Sequence, residues 1–241
     1  MKLARLAGLD ARIAGGTDGD GSGEGPVVVL LHGLGAPGDD LVSLWRVLAV
    51  PPGTRFVFPA APIALGGGYG DGRAWWWIDI EGRMRSQSAG IIRDTSEVPE
   101  GLAAARAGVD ELLEEVEKTF RPPPGKLALG GFSQGAMLSL DVALHSERTL
   151  ASLVLLSGTH IAARDWEARY ERRRGLPVFM SHGENDPLLP FVIAKDLAEL
   201  LRAHGLAVEW MSFRGAHGIP PSVIERAGAF LARVLGGAGG H

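Results

Sequence analysis

From residue 27 onward, short apolar runs alternate with stretches in which apolar residues return every three or four positions. Val27–Leu31 is unbroken and ends at His32-Gly33, and Phe56–Phe58 ends at Pro59. Leu127–Leu129, Leu153–Leu156, Val178–Ser181 and Ala207–Phe213 supply four more runs. A run that is apolar at every position suits a strand buried on both faces, as in a parallel sheet covered by helices. Between the runs, Leu102, Ala105, Val109, Leu112, Leu113, Val116 and Phe120 mark one face of a helix over Pro99–Phe120. Further helices are predicted at Gln134–His145, Pro190–His204 (stopped by Gly205) and Pro221–Leu235. Strands alternating with helices predict an α/β fold with a mostly parallel central sheet and helices on both faces.

Two segments escape this rhythm. Residues 15–25, GGTDGDGSGEG, read as a polar turn before the first strong strand. Residues 62–99 are rich in glycine, hold Trp75, Trp76 and Trp77 in a row, and show no sustained period. So long a stretch between elements is usually functional or disordered, and three adjacent indoles argue for packing. No internal repeat is visible, and residues 1–241 are expected to form one domain, with 62–99 a Trp/Gly-rich loop segment.

Composition narrows the functional classes. The chain has 241 residues, of which 46% are hydrophobic and 22% charged, an ordinary balance for a protein with a substantial core. A formal net charge of −4 gives no basic excess for nucleic acid or anionic membrane. Zero cysteines exclude a disulfide framework, a thiolate zinc site and a cysteine nucleophile. Arg5, Asp10 and Arg12 interrupt the apolar residues of the amino-terminal segment, so it lacks the core of a secretory signal. No run approaches the ~20 apolar residues of a membrane span. A cytoplasmic location is the expectation.

The sharpest chemical signal is Gly131-Phe132-Ser133-Gln134-Gly135, a G-x-S-x-G pattern between an apolar strand and a helical stretch. That context is what a nucleophile elbow requires: a serine on a tight strand-to-helix turn, its hydroxyl raised above the sheet. The amide of Gln134 then sits at a helix start, where developing negative charge is favoured. A serine nucleophile needs a base, and the base needs an orienting acid. Downstream, Asp186 follows the Val178–Ser181 strand and His217 follows the Ala207–Phe213 strand, both on loops at strand carboxyl ends. Glu184 is the rival acid, and Asp-Pro at 186–187 favours Asp186 by fixing the turn. His160 precedes the acid and falls in the wrong order for the base, while His182 lies inside the acid loop and reads as a packed residue.

Gly33, Gly35 and Gly38 also fit the G-x-G-x-x-G of a dinucleotide-binding oxidoreductase. That fingerprint wants an acid about 20 residues on, where this chain has Phe58-Pro59-Ala60-Ala61. The competing reading makes 33–38 an oxyanion loop, with the Leu34 amide meeting that of Gln134 around a carbonyl oxygen. The chemistry so described needs no metal and no cofactor.

LHGLG at 31–35, GRAWWWIDI at 72–80, GGFSQGA at 130–136, HGENDP at 182–187 and GAHGI at 215–219 together resemble the phospholipase/carboxylesterase family. The resemblance spans about residues 25–235 and implies an α/β-hydrolase fold. It implies a Ser133, Asp186, His217 triad and an oxyanion hole of the Leu34 and Gln134 amides. It likens the tryptophan segment to a loop flanking the acyl site, with Trp77 at that loop's tryptophan. The residues themselves add Trp76 and Tyr69 as substrate-binding candidates, with at least one of the three tryptophans expected to pack inward. The expected substrate is a small ester with an apolar acyl group, and a homodimer is compatible with this reading. The chain continues HGLGAPGDD, closer to the bacterial esterase form than to the thioesterases. Ester hydrolysis is therefore the leading expectation, with acyl-protein thioesterase or lysophospholipase activity as the alternative.

Overall fold

The computed structural model describes residues 1–79, 82, 85 and 94–237. β1 (Lys2–Leu6) and β2 (Leu9–Gly15) open the chain as an antiparallel hairpin. There follow β3 (Val27–Leu31), α1 (Leu44–Val47), β4 (Arg55–Pro59), β5 (Ile63–Ala64) and β6 (Arg73–Ala74). The second half alternates strictly: α2 (Leu102–Phe120), β7 (Leu127–Phe132), α3 (Gln134–His145), β8 (Ser152–Leu156), α4 (Ala163–Glu167) and β9 (Pro177–Gly183). It ends with α5 (Phe191–Ala203), β10 (Ala207–Phe213) and α6 (Pro221–Gly236).

Eight strands form one sheet in the order β1-β2-β4-β3-β7-β8-β9-β10. Every pairing from β4 to β10 is parallel, and β2 joins β4 antiparallel. The unbroken apolar runs serve both faces at once. Val27, Val29 and Leu31 enter one hydrophobic cluster, while Val28 and Leu30 enter another on the opposite side. Leu153 and Leu155 divide in the same way from Val154 and Leu156. α2 closes the first face with Leu102, Ala105, Val109, Leu112, Leu113 and Val116. α6 closes the second with Val223, Ala227, Phe230, Leu231 and Leu235. α3 is buried along almost its whole length, so its apolar character is not confined to one stripe.

The structure adds elements that the sequence pattern did not predict: the short helices α1 and α4, and those of two further segments. The amino-terminal segment, to which the pattern assigned no element, is the β1–β2 hairpin. Its turn residues Ala7 and Gly8 both have positive φ, as a two-residue hairpin turn of the primed type requires. Within 62–99, β5 and β6 pair as a small antiparallel ribbon around a short 3₁₀ turn at Gly67–Tyr69. The part of this segment at 80, 81, 83, 84 and 86–93, including Ile80 of the family-like stretch, lies outside the described residues.

Candidate active site

Parallel strands bring their carboxyl ends to one edge of the sheet, and the loops there carry the predicted residues. Ser133 stands alone between the last residue of β7 and the first of α3, with φ 53° and ψ −114°. An L-residue held there is strained by about 1–3 kcal/mol, so its surroundings must impose the conformation. They do so through close approach. A Cβ on Gly131 or on Gly135 would collide with the carbonyl oxygen of Leu31. The Ser133 amide donates to the Leu156 carbonyl across the sheet edge at 2.8 Å. The hydroxyl is not spent on capping the helix.

The loops after β9 and β10 are stitched together by main-chain bonds, Glu184 N–H to Phe213 O at 2.9 Å and Asn185 N–H to Gly215 O at 3.0 Å. This brings His217 to Asp186, whose Oδ2 accepts from His217 Nδ1 at 2.6 Å. Oδ1 accepts from the Leu188 and Leu189 amides at 2.8 and 2.9 Å. Burial alone would raise the Asp186 pKa. Hydrogen bonds from His182, His217 and the Leu189 amide outweigh it and hold the carboxyl well below the usual range. The rival acid Glu184 instead accepts from the Ser212 hydroxyl at 2.9 Å.

The imidazole of His217 lies against Phe132, the residue before Ser133, with ring centroids 4.8 Å apart. The Ser157 hydroxyl donates to the carbonyl of Gly218 at 3.2 Å and steadies the same loop. Asp186 and His217 are thus in contact, and the imidazole is packed on the elbow. Among the described residues, neither the Ser133 hydroxyl nor His217 Nε2 has a hydrogen-bond partner, so the serine–imidazole bond is open in this structure. Such bonds are commonly long or misaligned in ligand-free enzymes and tighten around substrate.

The 33–38 loop lies beside the serine: a Cβ on Gly33 would be 3.3 Å from that of Ser133. Among the described residues, the amides of Leu34 and Gln134 donate to no backbone carbonyl. The His32 ring fixes the start of this loop. Its Nε2 accepts from the Ala61 amide at 2.9 Å, so Nδ1 carries the hydrogen and donates to Gly33 O at 2.7 Å. Burial pushes this ring toward its neutral form, as the tautomer requires. The loop opens no dinucleotide-type helix, since the first helical turn after Gly38 is the four-residue α1. The fingerprint reading therefore lacks its structural context.

The tryptophan segment is pinned to both the elbow and this loop. Gln134, fully buried, accepts from the Trp75 amide at 2.9 Å and donates to the Trp76 carbonyl at 2.8 Å. The Trp75 indole donates to His32 O at 3.0 Å. The three adjacent rings part ways. Trp75 and Trp76 (1% exposed) join the core, whereas Trp77 is 62% exposed. Tyr69, 46% exposed, sits beside Gly35 of the 33–38 loop. An apolar cavity of about 460 Å³ opens between the tryptophans, Leu9, Ile63 and the first turns of α2, and no triad residue lines it.

Sequence reasoning singled out Gln134 for its amide and missed its side chain, and gave His32 and His182 no specific role. The one available signal was the apolar stretch Gly135–Leu138 that Gln134 opens, against which an amide side chain needs partners.

A profile of the phospholipase/carboxylesterase family matches residues 20–235. Acyl-protein thioesterase 1 of Gibberella zeae is 31% identical over 218 residues, covering 86% of this chain and 90% of that protein. Among solved structures, esterase PE8 covers 98% of this chain and all of its own, with a TM-score of 0.76 and 27% identity. The Bacillus cereus carboxylesterase, 19% identical with a TM-score of 0.68 over 94% of each chain, shares the fold. The sheet and its flanking helices are those of an α/β-hydrolase.

Proposed function

Since the chain belongs to the phospholipase/carboxylesterase family, we propose that it hydrolyses carboxylic esters through a Ser133–His217–Asp186 acyl-enzyme mechanism. The observation that carries this reading is the His217–Asp186 contact at 2.6 Å, with the imidazole packed on the strained elbow of Ser133. In the first half-reaction His217 Nε2 takes the Ser133 proton as Oγ attacks the ester carbonyl. Asp186 fixes the imidazole tautomer through Nδ1 and stabilises the imidazolium that forms. The amides of Leu34 and Gln134 receive the oxyanion, a contribution of several kcal/mol in a preorganised site. His217 then protonates the leaving alcohol. Water repeats the cycle on the acyl-enzyme and releases the acid.

Tyr69 is assigned to the acyl side of the groove because it presents apolar surface beside the 33–38 loop, and Trp77 because it is exposed and lines the apolar cavity. Trp76, 1% exposed, packs in the core and lines the apolar cavity beside Trp77. A thioesterase is the second reading, favoured by the Gibberella zeae relative, and one triad serves both chemistries.

Ser133→Ala, checked for folding by circular dichroism, is expected to lower turnover of p-nitrophenyl esters by about three orders of magnitude or more. It is also expected to abolish labelling by a fluorophosphonate. A variant that retains hydrolysis near the wild-type rate would overturn the mechanism. Comparing acetyl, butyryl and octanoyl oxygen esters with the matching thioesters distinguishes the two readings.

A further inference from the structure

Asp186 faces two imidazoles, and the proposed mechanism uses one of them. His182, on β9, is fully buried, with Nε2 3.3 Å from Asp186 Oδ2 and 2.9 Å from the Leu189 carbonyl oxygen. A carbonyl can only accept, so Nε2 carries the hydrogen. Nδ1 is buried with no hydrogen-bond partner, which leaves it the unprotonated nitrogen. The ring's single N–H is thus directed to Leu189 O, while the same nitrogen lies 3.3 Å from the carboxylate oxygen that also receives His217 Nδ1–H. The strand pairing of His182 with Ser212 on β10 and the Phe191 ring 6.3 Å away hold it in place. Among the described residues, His182 and His217 are the two titratable side chains within ion-pair distance of Asp186. Glu184 of the same loop is turned to Ser212.

From this geometry we infer that His182 is a positioning residue that sets how strongly Asp186 acts on the base. The inference rests on the proposed triad. By sharing its N–H with Oδ2, His182 holds the carboxylate in the plane that meets Nδ1 of His217. It also withdraws part of the negative charge that would otherwise stabilise a protonated base. Anchored on a strand rather than on a loop, it is a rigid post on the Oδ2 side of a carboxylate whose Oδ1 is held by the Leu188 and Leu189 amides. The direction of the Asp186 shift agrees, since the His182 contact is among the donors that keep that carboxyl ionised.

Removing this donor makes the carboxylate a stronger acceptor. His217 is then protonated more readily, and the acid limb of activity moves to higher pH. The test is the pH profile of kcat/KM for wild type, His182→Gln and His182→Met. The glutamine nitrogen can reach the position of Nε2, and methionine fills the volume without donating. His182→Met is expected to move the acid limb upward by about half a unit to one unit and to lower kcat at neutral pH about tenfold. KM should change little, and His182→Gln should restore the wild-type limb. A folded His182→Met enzyme whose limb and kcat coincide with wild type would overturn the inference while leaving the serine mechanism intact. Ser133→Ala run alongside reports on that mechanism separately, and full activity there would remove both. ¹⁵N-histidine spectra of the unmodified protein give an independent reading. An Nε2–H tautomer at His182 is expected, and an Nδ1–H tautomer would overturn the assignment.

Discussion

Among the described residues, two buried aspartates face histidines, on different elements, and one of the pairs is the acid and base of the proposed triad. Asp141 on α3 accepts from Trp166 Nε1 at 2.7 Å and from Arg106 at 2.9 Å, with His145 beside it at 3.5 Å. Asp186 has two loop amides and two imidazoles. Burial dominates at Asp141 and raises its pKa despite those donors. At Asp186 the donors prevail and lower it. The histidines differ more tellingly. Both ring nitrogens of His145 are engaged, Nδ1 with the Asp141 carbonyl and Nε2 with Asp165. His217 commits Nδ1 alone. Asp141, His145 and Asp165 are close enough to suggest a cation site, but the Arg106 guanidinium already sits against the first two. Proximity of acid and imidazole therefore says little about function. What matters is which ring nitrogen is left over and what it can reach.

Exchanging the two acids should break the symmetry most visibly in activity. Asp186→Asn is expected to cut kcat about 10³–10⁴-fold by spoiling the tautomer of the base, measured by ester hydrolysis, whereas Asp141→Asn should leave kcat near wild type. Stability should show the reverse order. Asp141→Ala strands the Trp166 and Arg106 donors and is expected to cost about 2–3 kcal/mol in denaturant unfolding, with kcat again unchanged. The smallest effect lies in the pH dependence of folding. A carboxyl held below 3.8 contributes stability that is complete above that value and lost as pH falls beneath it, which is the case of Asp186. Asp141, pushed above 3.8, opposes folding while ionised and ceases to do so as it gains a proton. Between about pH 5 and pH 2, Asp186→Asn should therefore lose stability less steeply than wild type, and Asp141→Asn more steeply. Parallel slopes for the two variants would mean that donors and burial do not separate these sites as described.

The unbroken strands β3 and β8 and the helix α6 were legible because burial on both faces, or along one stripe, writes itself into local pattern. The β1–β2 hairpin was not, because β1 is an edge strand in which Leu6 alone is buried, β2 interrupts its apolar residues with Asp10 and Arg12, and the turn begins with an alanine. For the candidate site, Ser133, Asp186 and His217 could be picked out by their order after strands, and Leu34 and Gln134 by their place beside the elbow. The clamping role of the Gln134 side chain and the post formed by His182 depend on partners more than 50 residues away or on a tautomer. No local pattern carries either.

The pentapeptide at the elbow has no spare position. Gly131 and Gly135 admit no side chain, Ser133 is the proposed nucleophile, Phe132 supports the ring of His217, and Gln134 grips the tryptophan segment. A library randomised over these five codons should therefore return almost nothing but the parent. New acyl preferences are better sought around Tyr69 and Trp77, where bulk can change without loosening the machinery behind them.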